Sequence, residues 1–374
     1  MKVLHILNEL RFSGAEMLLA TAAPHFMRDG SSHTILSTGE EVGDYAPQLR
    51  AAGFHVEHLP FGKSPLFFLR LLAFLRREKF YVVHSHAERA NFWTCLVALA
   101  GAKRVVRTIH NSFSFEGRLR ARRGWQRRLL KRLGVTFVAC SQLVGRTEKE
   151  RFGLDTAVVA NWMDPNRVRE ITAEGRADAR TRLGIASDTF VILSLANYGP
   201  AKNLEAIVAA TRLCAREFDV LYLQCGAGGD DLARAVGLER GEPVRLMGAV
   251  PDIVDVVAAA DAFVCTSFFE GGQISLLEVG RAGSVCVTTR VGLAEEFDGQ
   301  PNVSFIEPTA ESLAEALRSV RARPLAERLA AGAALRTFVI AHFSPEVGAR
   351  QYMAIYSDGA WQAATTAAAQ RGNT

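Results

Sequence analysis

The chain has 374 residues, of which 49% are hydrophobic and 22% are charged. This length fits two domains of common size, and the composition is that of a globular protein with enough apolar residues for two cores. A transmembrane helix is not expected, because the uncharged segment 92–102 has only about half the length that a bilayer requires. The six cysteines are scattered without a C-x-x-C pair, so we expect a reducing cytoplasmic environment and no zinc site.

The charge is distributed unevenly along the chain. Residues 1–165 contain 24 Lys and Arg against 14 Asp and Glu, whereas the remainder contains 20 against 25. A basic first half beside an acidic second half indicates that the first half meets an anionic partner.

The first half alternates short β-branched runs with helical patterns. A loop at Phe12–Gly14 and a helix from Ala15 follow the first strand. This βαβ rhythm predicts a parallel sheet covered on both faces. The predicted strands are Lys2–Leu7, Thr34–Ser37, His55–His58, Tyr81–His84, Val105–Ile109, Val135–Cys140 and Ala157–Ala160.

The second half restarts the same rhythm with a strand at Phe190–Ala196. Further helices and strands are predicted, in turn, at Leu204–Arg216, Val220–Cys225, Asp231–Val236, Val244–Leu246, Ile253–Ala260, Ala262–Cys265, Leu276–Ala282 and Val285–Thr288. Two doubly wound domains of this kind direct the carboxyl ends of their strands towards a ligand cleft.

The domain boundary is predicted in Asn161–Asp188, which is polar and poor in large apolar residues. We expect Rossmann-like domains at 1–165 and 166–345. In the last segment, 346–374, a helix that begins at Pro345 is expected to pack back towards the first domain, and the tail from Ala360 is expected to fray.

The most informative motif is a pair of glutamates separated by seven residues, Glu270-Gly271-Gly272-Gln273-Ile274-Ser275-Leu276-Leu277-Glu278. The preceding predicted strand places Glu270 in the loop at its carboxyl end, where two glycines allow the backbone to approach a ligand closely. The free N–H groups of residues 272–275 open the next helix and suit a phosphate. Glu278, two turns on, is positioned to hold a ribose diol. The alternative is a helix cap followed by a surface glutamate.

With these residues the chain resembles glycosyltransferase family 4, whose members carry the same glutamate spacing, a Leu-Leu-Glu helix and an Ala-Gly turn. Here these are Glu270, Leu276–Glu278 and Ala282-Gly283. The resemblance covers nearly the whole chain through weaker motifs in the same order, at Phe12–Glu16, Thr108–Asn111, Val138–Ser141, Val158–Asp164, Ser194–Asn203 and Ala249–Phe263.

The resemblance implies the α/β GT-B fold, with two doubly wound Rossmann-like domains and an inter-domain active-site cleft. It implies a retaining enzyme that moves a hexose or N-acetylhexosamine from a nucleoside diphosphate sugar to an acceptor hydroxyl. The basic, apolar first domain suggests that the acceptor is a glycan or lipid-linked glycan in cell-envelope polysaccharide synthesis, such as that of lipopolysaccharide. Uridine is the favoured base. The first domain would bind the acceptor and the second the donor. No cofactor or metal is expected, because cations and helix N-termini can carry the leaving-group charge.

The resemblance also implies roles for individual residues. Glu270 would contact hydroxyls of the donor sugar, Lys202 would neutralise the leaving diphosphate, and His110 would lie near the reacting sugar. The implied donor-binding residues are Gly14, Asn197, Gly226, Gly271, Gly272, Gln273, Ile274, Ser275 and Glu278.

Some positions depart from the family pattern. Asn197 stands where an arginine is usual, so that one of two expected phosphate cations is missing. Ser13 and Trp162 each replace a usual glycine, and Gly272-Gln273 replaces an apolar residue and a proline. These departures bear on donor identity and catalytic strength more than on the fold.

The segment Arg118–Arg132 holds eight basic residues and no acidic ones. A basic amphipathic helix can lie on an anionic bilayer, so we predict a peripheral protein at the inner face of the cytoplasmic membrane. The alternative is a solvated helix face; nucleic acid is not expected, because no nucleic-acid module accompanies the segment. The predicted membrane or acceptor patch is Arg118, Arg122, Arg123, Trp125, Arg127 and Arg128.

Two other functions remain open from the sequence. A sugar-nucleotide 2-epimerase would use two domains of the same kind, although the paired glutamates argue against it. A non-catalytic nucleotide-sugar-binding subunit would explain Asn197, but Glu270, Glu278 and Lys202 oppose that interpretation.

Overall fold

The computed structural model describes residues 1–62, 64–87, 91–111 and 115–358. The chain divides into two compact units, which we call unit 1 (residues 1–162 and the segment from 345) and unit 2 (residues 163–344). These limits lie within three residues of the sequence-based boundaries after 165 and 345. The predicted tail from Ala360 lies outside the described residues.

Unit 1 is built on a parallel sheet. Its strands are β1 (Lys2–Leu7), β2 (Ser32–Ser37), β3 (His55–His58), β4 (Val82–Ser85), β5 (Arg104–Ile109), β6 (Thr136–Ala139) and β7 (Ala157–Val158). Its helices are α1 (Gly14–Phe26), α2 (Ala46–Ala51), α3 (Leu66–Glu78), α4 (Asn91–Leu99), α5 (Gly117–Arg132), α6 (Gln142–Phe152) and α14 (Pro345–Asp358). In the described part of the chain the strand order is β3-β2-β1-β4-β5-β6-β7.

Side-chain alternation gives the sheet of unit 1 two different faces. Leu4 and Ile6 of β1 belong to the apolar core formed with residues of α3, α4 and α5. His5, between them, lies on the opposite face near Phe26 of α1 and Tyr356 of α14. The C-terminal helix α14 therefore covers a face of this sheet that carries polar side chains.

Unit 2 repeats the architecture. Its strands are β8 (Phe190–Leu195), β9 (Val220–Cys225), β10 (Val244–Gly248), β11 (Ala262–Cys265), β12 (Cys286–Thr289) and β13 (Val303–Ile306). Its helices are α7 (Ala173–Leu183), α8 (Leu204–Cys214), α9 (Gly229–Val236), α10 (Val254–Ala259), α11 (Ile274–Ala282), α12 (Ala310–Ala322) and α13 (Leu325–His342), with a 3-10 helix at Gly292–Phe297.

The strands of unit 2 are parallel in the order β10-β9-β8-β11-β12-β13. The chain runs outward from β8 to β10 and then returns to β11, beside β8, before running outward in the other direction. The carboxyl ends of β8 and β11 thus form a topological switch point, which is where open α/β sheets bind ligands. The two parallel α/β sheets confirm the predicted fold class.

One part of the predicted inter-domain segment is instead a helix of unit 2. Residues 173–183 form α7. Thr172 caps its start, with a hydroxyl that accepts from the N–H of Gly175, and Gly184 follows its end in the left-handed region. Its buried residues are Ala179 and two arginines, Arg176 and Arg180, that pair with Asp261. Burial through ion pairs rather than apolar residues is why this helix lacked the hydrophobic pattern of a packed element.

Candidate functional site

Two loops of unit 2 are tied together at its topological switch point. The N–H of Phe268, after β11, donates to the carbonyl of Ala201, after β8, at 2.9 Å. The Thr266 hydroxyl bonds the carbonyls of Lys202 and Asn203 at 3.1 and 2.9 Å. The two loops therefore hold residues about seventy positions apart in one place.

These loops bring Lys202 and Glu270 into direct contact. The Lys202 ammonium donates to Oε1 of Glu270 at 2.6 Å, and the Ser267 hydroxyl donates to the same oxygen at 2.8 Å. The Glu270 side chain is largely buried, whereas about a third of Lys202 is exposed. The structure thus joins two of the three predicted catalytic residues, and it adds Ser267, which the sequence interpretation missed.

The glutamate-glycine loop is supported by Gly292, which was also missed. Its φ of 54° lies in the left-handed region, and a Cβ there would fall 2.5 Å from the carbonyl oxygen of Gly271 and 2.8 Å from Cβ of Glu270. The 3-10 helix that begins at Gly292 therefore packs directly against the loop that carries Glu270. The only sequence signal was an isolated glycine shortly after a strand.

Helix α11 begins where the motif predicted an anion-binding helix start. Gln273 precedes the helix, and its side-chain Oε1 accepts from the N–H of Leu293 at 2.8 Å. That side chain is buried, so it anchors the helix start within unit 2. Ile274 and Ser275 form the first turn, and both are half-buried.

Asn197, which replaces the usual arginine, closes the glycine loop after β9. Its side-chain oxygen accepts from the N–H of Ala227 at 2.8 Å. A Cβ at Gly226, whose φ is 152°, would lie 2.1 Å from the carbonyl oxygen of Ala196. The loop after β8, which carries Asn197, therefore packs closely against the loop after β9, which carries Gly226. The Asn197 side chain provides a hydrogen bond between these loops and no positive charge.

Glu278 is buried on α11, with only 5% of the residue exposed. It forms an ion pair with Nε of Arg167 at 2.9 Å. Burial raises the pKa of Glu278 to about 7, although Arg167 opposes the shift and Asp164 adds to it. A ribose would have to share or displace the Arg167 contact, and this partner could not be foreseen from the motif.

We expect Glu278 to make unfolding depend on pH. Because burial raises its pKa in the folded state, its stabilising contribution is complete below about pH 4.5 and is lost as pH rises through about 7. Over this interval the free energy of unfolding should fall by about 3 kcal/mol through this group. Denaturant unfolding of the wild type and of Glu278→Gln at pH 5 and pH 8 measures this change in the free energy of unfolding. Equal pH dependence in the two proteins would contradict the assignment.

The predicted catalytic residue of unit 1, His110, lines a small cavity. His110 follows β5, and its Nε2 is 3.3 Å from Nδ1 of His86. The cavity has a volume of about 10 Å³ and is lined by both histidines together with Ala15, Asn161, Trp162 and side chains of α1 and α14. Trp162, which replaces a usual glycine, is buried and donates from Nε1 to the carbonyl of Leu18 at 2.9 Å.

The loop before α1 is organised by Ser13 and Glu16. Ser13 caps the helix with extended backbone, and its hydroxyl donates to the Glu16 carboxylate. Glu16 is buried, and this burial raises its pKa, which the Ser13 hydroxyl partly opposes. Gly14 is the first residue of α1. The departure at position 13 therefore adds a hydrogen bond at the helix start.

The predicted basic patch needs one correction. Arg118, Arg122, Trp125 and Arg128 are exposed on α5, but Arg127 is only 2% exposed. Arg127 donates to Glu148 of α6 at 2.7 Å, with its guanidinium 4.6 Å from the Phe152 ring centre.

Helical spacing predicts Arg127 on the surface, because it does not show where the next helix packs. It is a buried link between α5 and α6. Arg123 is half-buried, with its guanidinium 5.6 Å from the Phe115 ring centre.

No helix within the described residues is both long enough and apolar enough to cross a bilayer.

Comparison with known proteins identifies two family models along the chain. The model described as Glycosyltransferase Family 4 matches residues 12–167, and the model described as Glycosyl transferases group 1 matches residues 189–322. The first therefore falls on unit 1 and the second on unit 2.

Two curated relatives are each 25% identical to the chain. One is the UDP-Gal:alpha-D-GlcNAc-diphosphoundecaprenol alpha-1,3-galactosyltransferase of Escherichia coli, where the match covers 62% of this chain and 64% of the relative, which is less than two thirds of its length. The other is a Bacillus subtilis (strain 168) protein named EpsF, where the match covers 90% of each chain.

Among solved structures, the fold is similar to that of Anabaena Alr3699/HepE in complex with UDP and glucose. The TM-score is 0.78 at 17% identity, and the match covers 96% of this chain and 100% of that one. This similarity supports the GT-B fold. Because the two family models follow one another and together match most of the chain, the chain belongs to glycosyltransferase family 4.

Proposed function

We propose that this protein is a retaining glycosyltransferase that moves a hexose or N-acetylhexosamine from a UDP-sugar to a lipid-linked glycan in cell-envelope polysaccharide synthesis. The contact between Lys202 and Glu270 at the switch point of unit 2 carries the proposal. The names of two similar proteins support the donor and the acceptor class: one is a UDP-Gal transferase acting on a diphosphoundecaprenol-linked sugar, and the other binds UDP and glucose.

The charge arrangement supports a diphosphate leaving group. A departing nucleoside diphosphate is anionic, and the partly exposed Lys202 ammonium contacts Glu270, in the loop that leads into α11. An ammonium group and a helix N-terminus both stabilise developing negative charge on phosphate oxygens. We therefore propose that the reaction requires no metal ion.

Glu270 supplies the complementary function at the sugar. Its carboxylate accepts hydrogen bonds from Lys202 and Ser267 and, in the proposed donor complex, from sugar hydroxyls. The acceptor oxygen forms a bond to the anomeric carbon while the bond to the diphosphate oxygen breaks on the same face. The acceptor proton passes to the departing phosphate oxygen, so that configuration is retained.

Nucleotide binding tests this proposal. Calorimetry with UDP, GDP, ADP and their sugars should show binding of the uridine compounds, with at least about tenfold weaker binding in Glu278→Ala if the ribose contact is worth about 1.4 kcal/mol. Glu311→Ala, which removes an exposed glutamate from α12, is the matched control. A folded wild-type protein that binds none of these nucleotides would refute the proposed donor site.

The non-catalytic alternative has one supporting observation, because Asn197 replaces a cation and its amide oxygen accepts from a backbone N–H. Such a subunit would bind the nucleotide sugar but would neither transfer nor hydrolyse the sugar. Release of UDP from a bound UDP-sugar in the presence of a diphosphoundecaprenol-linked acceptor separates the two functions.

We further propose that unit 1 docks on an anionic membrane through α4 and α5. Trp93 and Trp125 are 58% and 55% exposed, on helices joined by a contact between the rings of Phe92 and Trp125. Exposed tryptophans favour the membrane interface. Arginines next to them on α5 add attraction to anionic headgroups.

The exposed arginines of α5 should contribute directly to vesicle binding. Replacing Arg118, Arg122 and Arg128 by Ser should weaken binding to phosphatidylglycerol-containing vesicles about 100-fold, since each basic residue near the surface contributes about 1 kcal/mol. Vesicle co-sedimentation over a lipid titration measures the change. A charge-matched control replaces three exposed arginines of unit 2, Arg216, Arg234 and Arg240, by Ser. Equal binding of both triple variants would contradict the docking proposal.

A further inference from the structure

Three histidines of unit 1 meet on the sheet face near α1 and α14. His5 on β1 is the register partner of His84 on the neighbouring β4. His86 lies two residues beyond His84, and alternation along an extended chain places both on the same face. Each of the three offers a ring nitrogen that lies within 4.8 Å of those of the other two. The wide spacing of these residues along the chain gave no sign of this cluster.

The separations are close to those of a metal site. Nδ1 of His5 and Nε2 of His86 are 3.3 Å apart. Two imidazole nitrogens bound at 2.0–2.1 Å to one tetrahedral ion lie roughly 3.3 Å apart. The rings of His84 and His86 are 3.9 Å apart between centres. A ring nitrogen of His84 lies within 4.8 Å of the other two ligand atoms, so it would have to move closer to them when the ion binds.

Each histidine is also held through its second nitrogen. Nε2 of His5 is 3.0 Å from Nδ1 of His33, and Nδ1 of His86 faces His110 at 3.3 Å. His84 contacts the Thr108 and Tyr356 hydroxyls at 2.7 and 2.6 Å, so either nitrogen can be a ligand while the other keeps its partner. Metal-binding histidines require such support, because it orients the ring and sets the tautomer.

The protonation state and the available space also fit a metal ligand set. Burial is the main cause that lowers the pKa of His5, His84 and His86 well below the usual value, with further lowering by neighbouring histidines. Ligation requires the neutral form of imidazole, which the burial of these three rings favours. The adjoining cavity of about 10 Å³, lined by His84, His86 and the α14 tyrosines, admits one water-sized ligand.

We propose that His5, His84 and His86 bind one divalent transition-metal ion of the zinc type, with a water molecule as the fourth ligand. The set contains only borderline nitrogen donors, which favour Zn²⁺ or Co²⁺ over Mg²⁺ or Ca²⁺. The ion links β1 to β4 and its following loop, and its role is structural. This inference does not depend on the proposed transfer reaction, whose leaving-group residues lie in unit 2.

The test uses the full chain without a polyhistidine tag, after chelator treatment and dialysis. Titration with Co²⁺ should give tetrahedral visible absorption bands at one equivalent per chain. Zn²⁺ at about a hundredfold excess over its Kd should raise the Tm of unit 1 by about 5–10 °C. His86→Ala should weaken binding at least about 100-fold, and His33→Gln, which removes a supporting contact, about 10- to 100-fold.

The control removes two exposed histidines of β3 together, His55→Ala and His58→Ala, and should leave both the Co²⁺ spectrum and the stoichiometry unchanged. Absence of tetrahedral Co²⁺ bands in the wild type would overturn the proposal and leave a hydrogen-bonded histidine network. Equal affinity in the wild type and His86→Ala would also overturn it. If circular dichroism shows that His86→Ala does not fold, the Co²⁺ absorption spectrum of the wild type and the Co²⁺ affinity of His33→Gln test the proposal instead.

Discussion

Lys202→Met is expected to reduce kcat for sugar transfer by about 10²- to 10³-fold, the usual effect of removing one preorganised group that stabilises transition-state charge. Methionine keeps the length of the side chain but removes the ammonium group that contacts Glu270 at 2.6 Å. Because the negative charge on the leaving diphosphate grows as the glycosidic bond breaks, the loss should appear more in kcat than in KM. Initial rates of UDP release at saturating donor and acceptor measure it.

The control for this variant is Lys149→Met, which removes a lysine whose side chain is 71% exposed and paired with Asp155 in unit 1. Its rate should equal that of the wild type. An unchanged kcat in Lys202→Met, with the variant correctly folded, would show that another group carries the leaving-group charge.

Asp261→Ala is expected to lower the free energy of unfolding of unit 2 by about 3–5 kcal/mol, the usual cost of removing one partner of a buried ion pair. Its carboxylate contacts Arg176, Arg180 and Arg328 at 2.6, 2.7 and 2.7 Å. Burial alone raises its pKa, but the arginines and the N–H of Val191 outweigh this, so the pKa lies below the usual value. Removing it leaves three guanidinium groups together in a buried place.

Asp255→Ala is the matched control, because Asp255 also pairs with an arginine, Arg182, but on the surface. An exposed pair of this kind contributes less than about 1 kcal/mol. Urea unfolding of both variants, followed by circular dichroism, compares the two sites. Similar losses for Asp261→Ala and Asp255→Ala would contradict the view that Asp261 organises the packing of α7 and α13 against the sheet.

The sequence predicted the fold well because the relevant signals are local. Buried parallel strands appear as short apolar runs, and β1, β9 and β11 have the predicted limits. Glycines after a strand mark a close turn, so the Glu270 loop and the start of α11 were also placed correctly. Each of these patterns depends only on residues a few positions apart, so a single sequence contains the information needed to recognise it.

Contacts between distant residues had no such signal. The sequence predicts Arg127 on the surface, whereas the tertiary structure pairs it with Glu148 of the next helix. The sequence shows Asn197 only as the loss of a cation that would contact phosphate. In the structure its side-chain oxygen accepts a hydrogen bond from the N–H of Ala227. The charge and length of a side chain define what it can contact, but the partner is set by the packing of other elements.

The sequence by itself determined two parallel α/β units, the order of most of their elements up to Thr288 and the motif that contains Glu270 and Glu278, whereas α7, β13, α12 and α13 were not predicted. Only the tertiary structure decided that Lys202 meets Glu270, that Arg167 pairs with Glu278, and that three histidines share one place. The physical reason is that backbone conformation follows short-range periodicity, whereas burial, ion pairing and ligand geometry arise where strands and loops far apart in the chain come together.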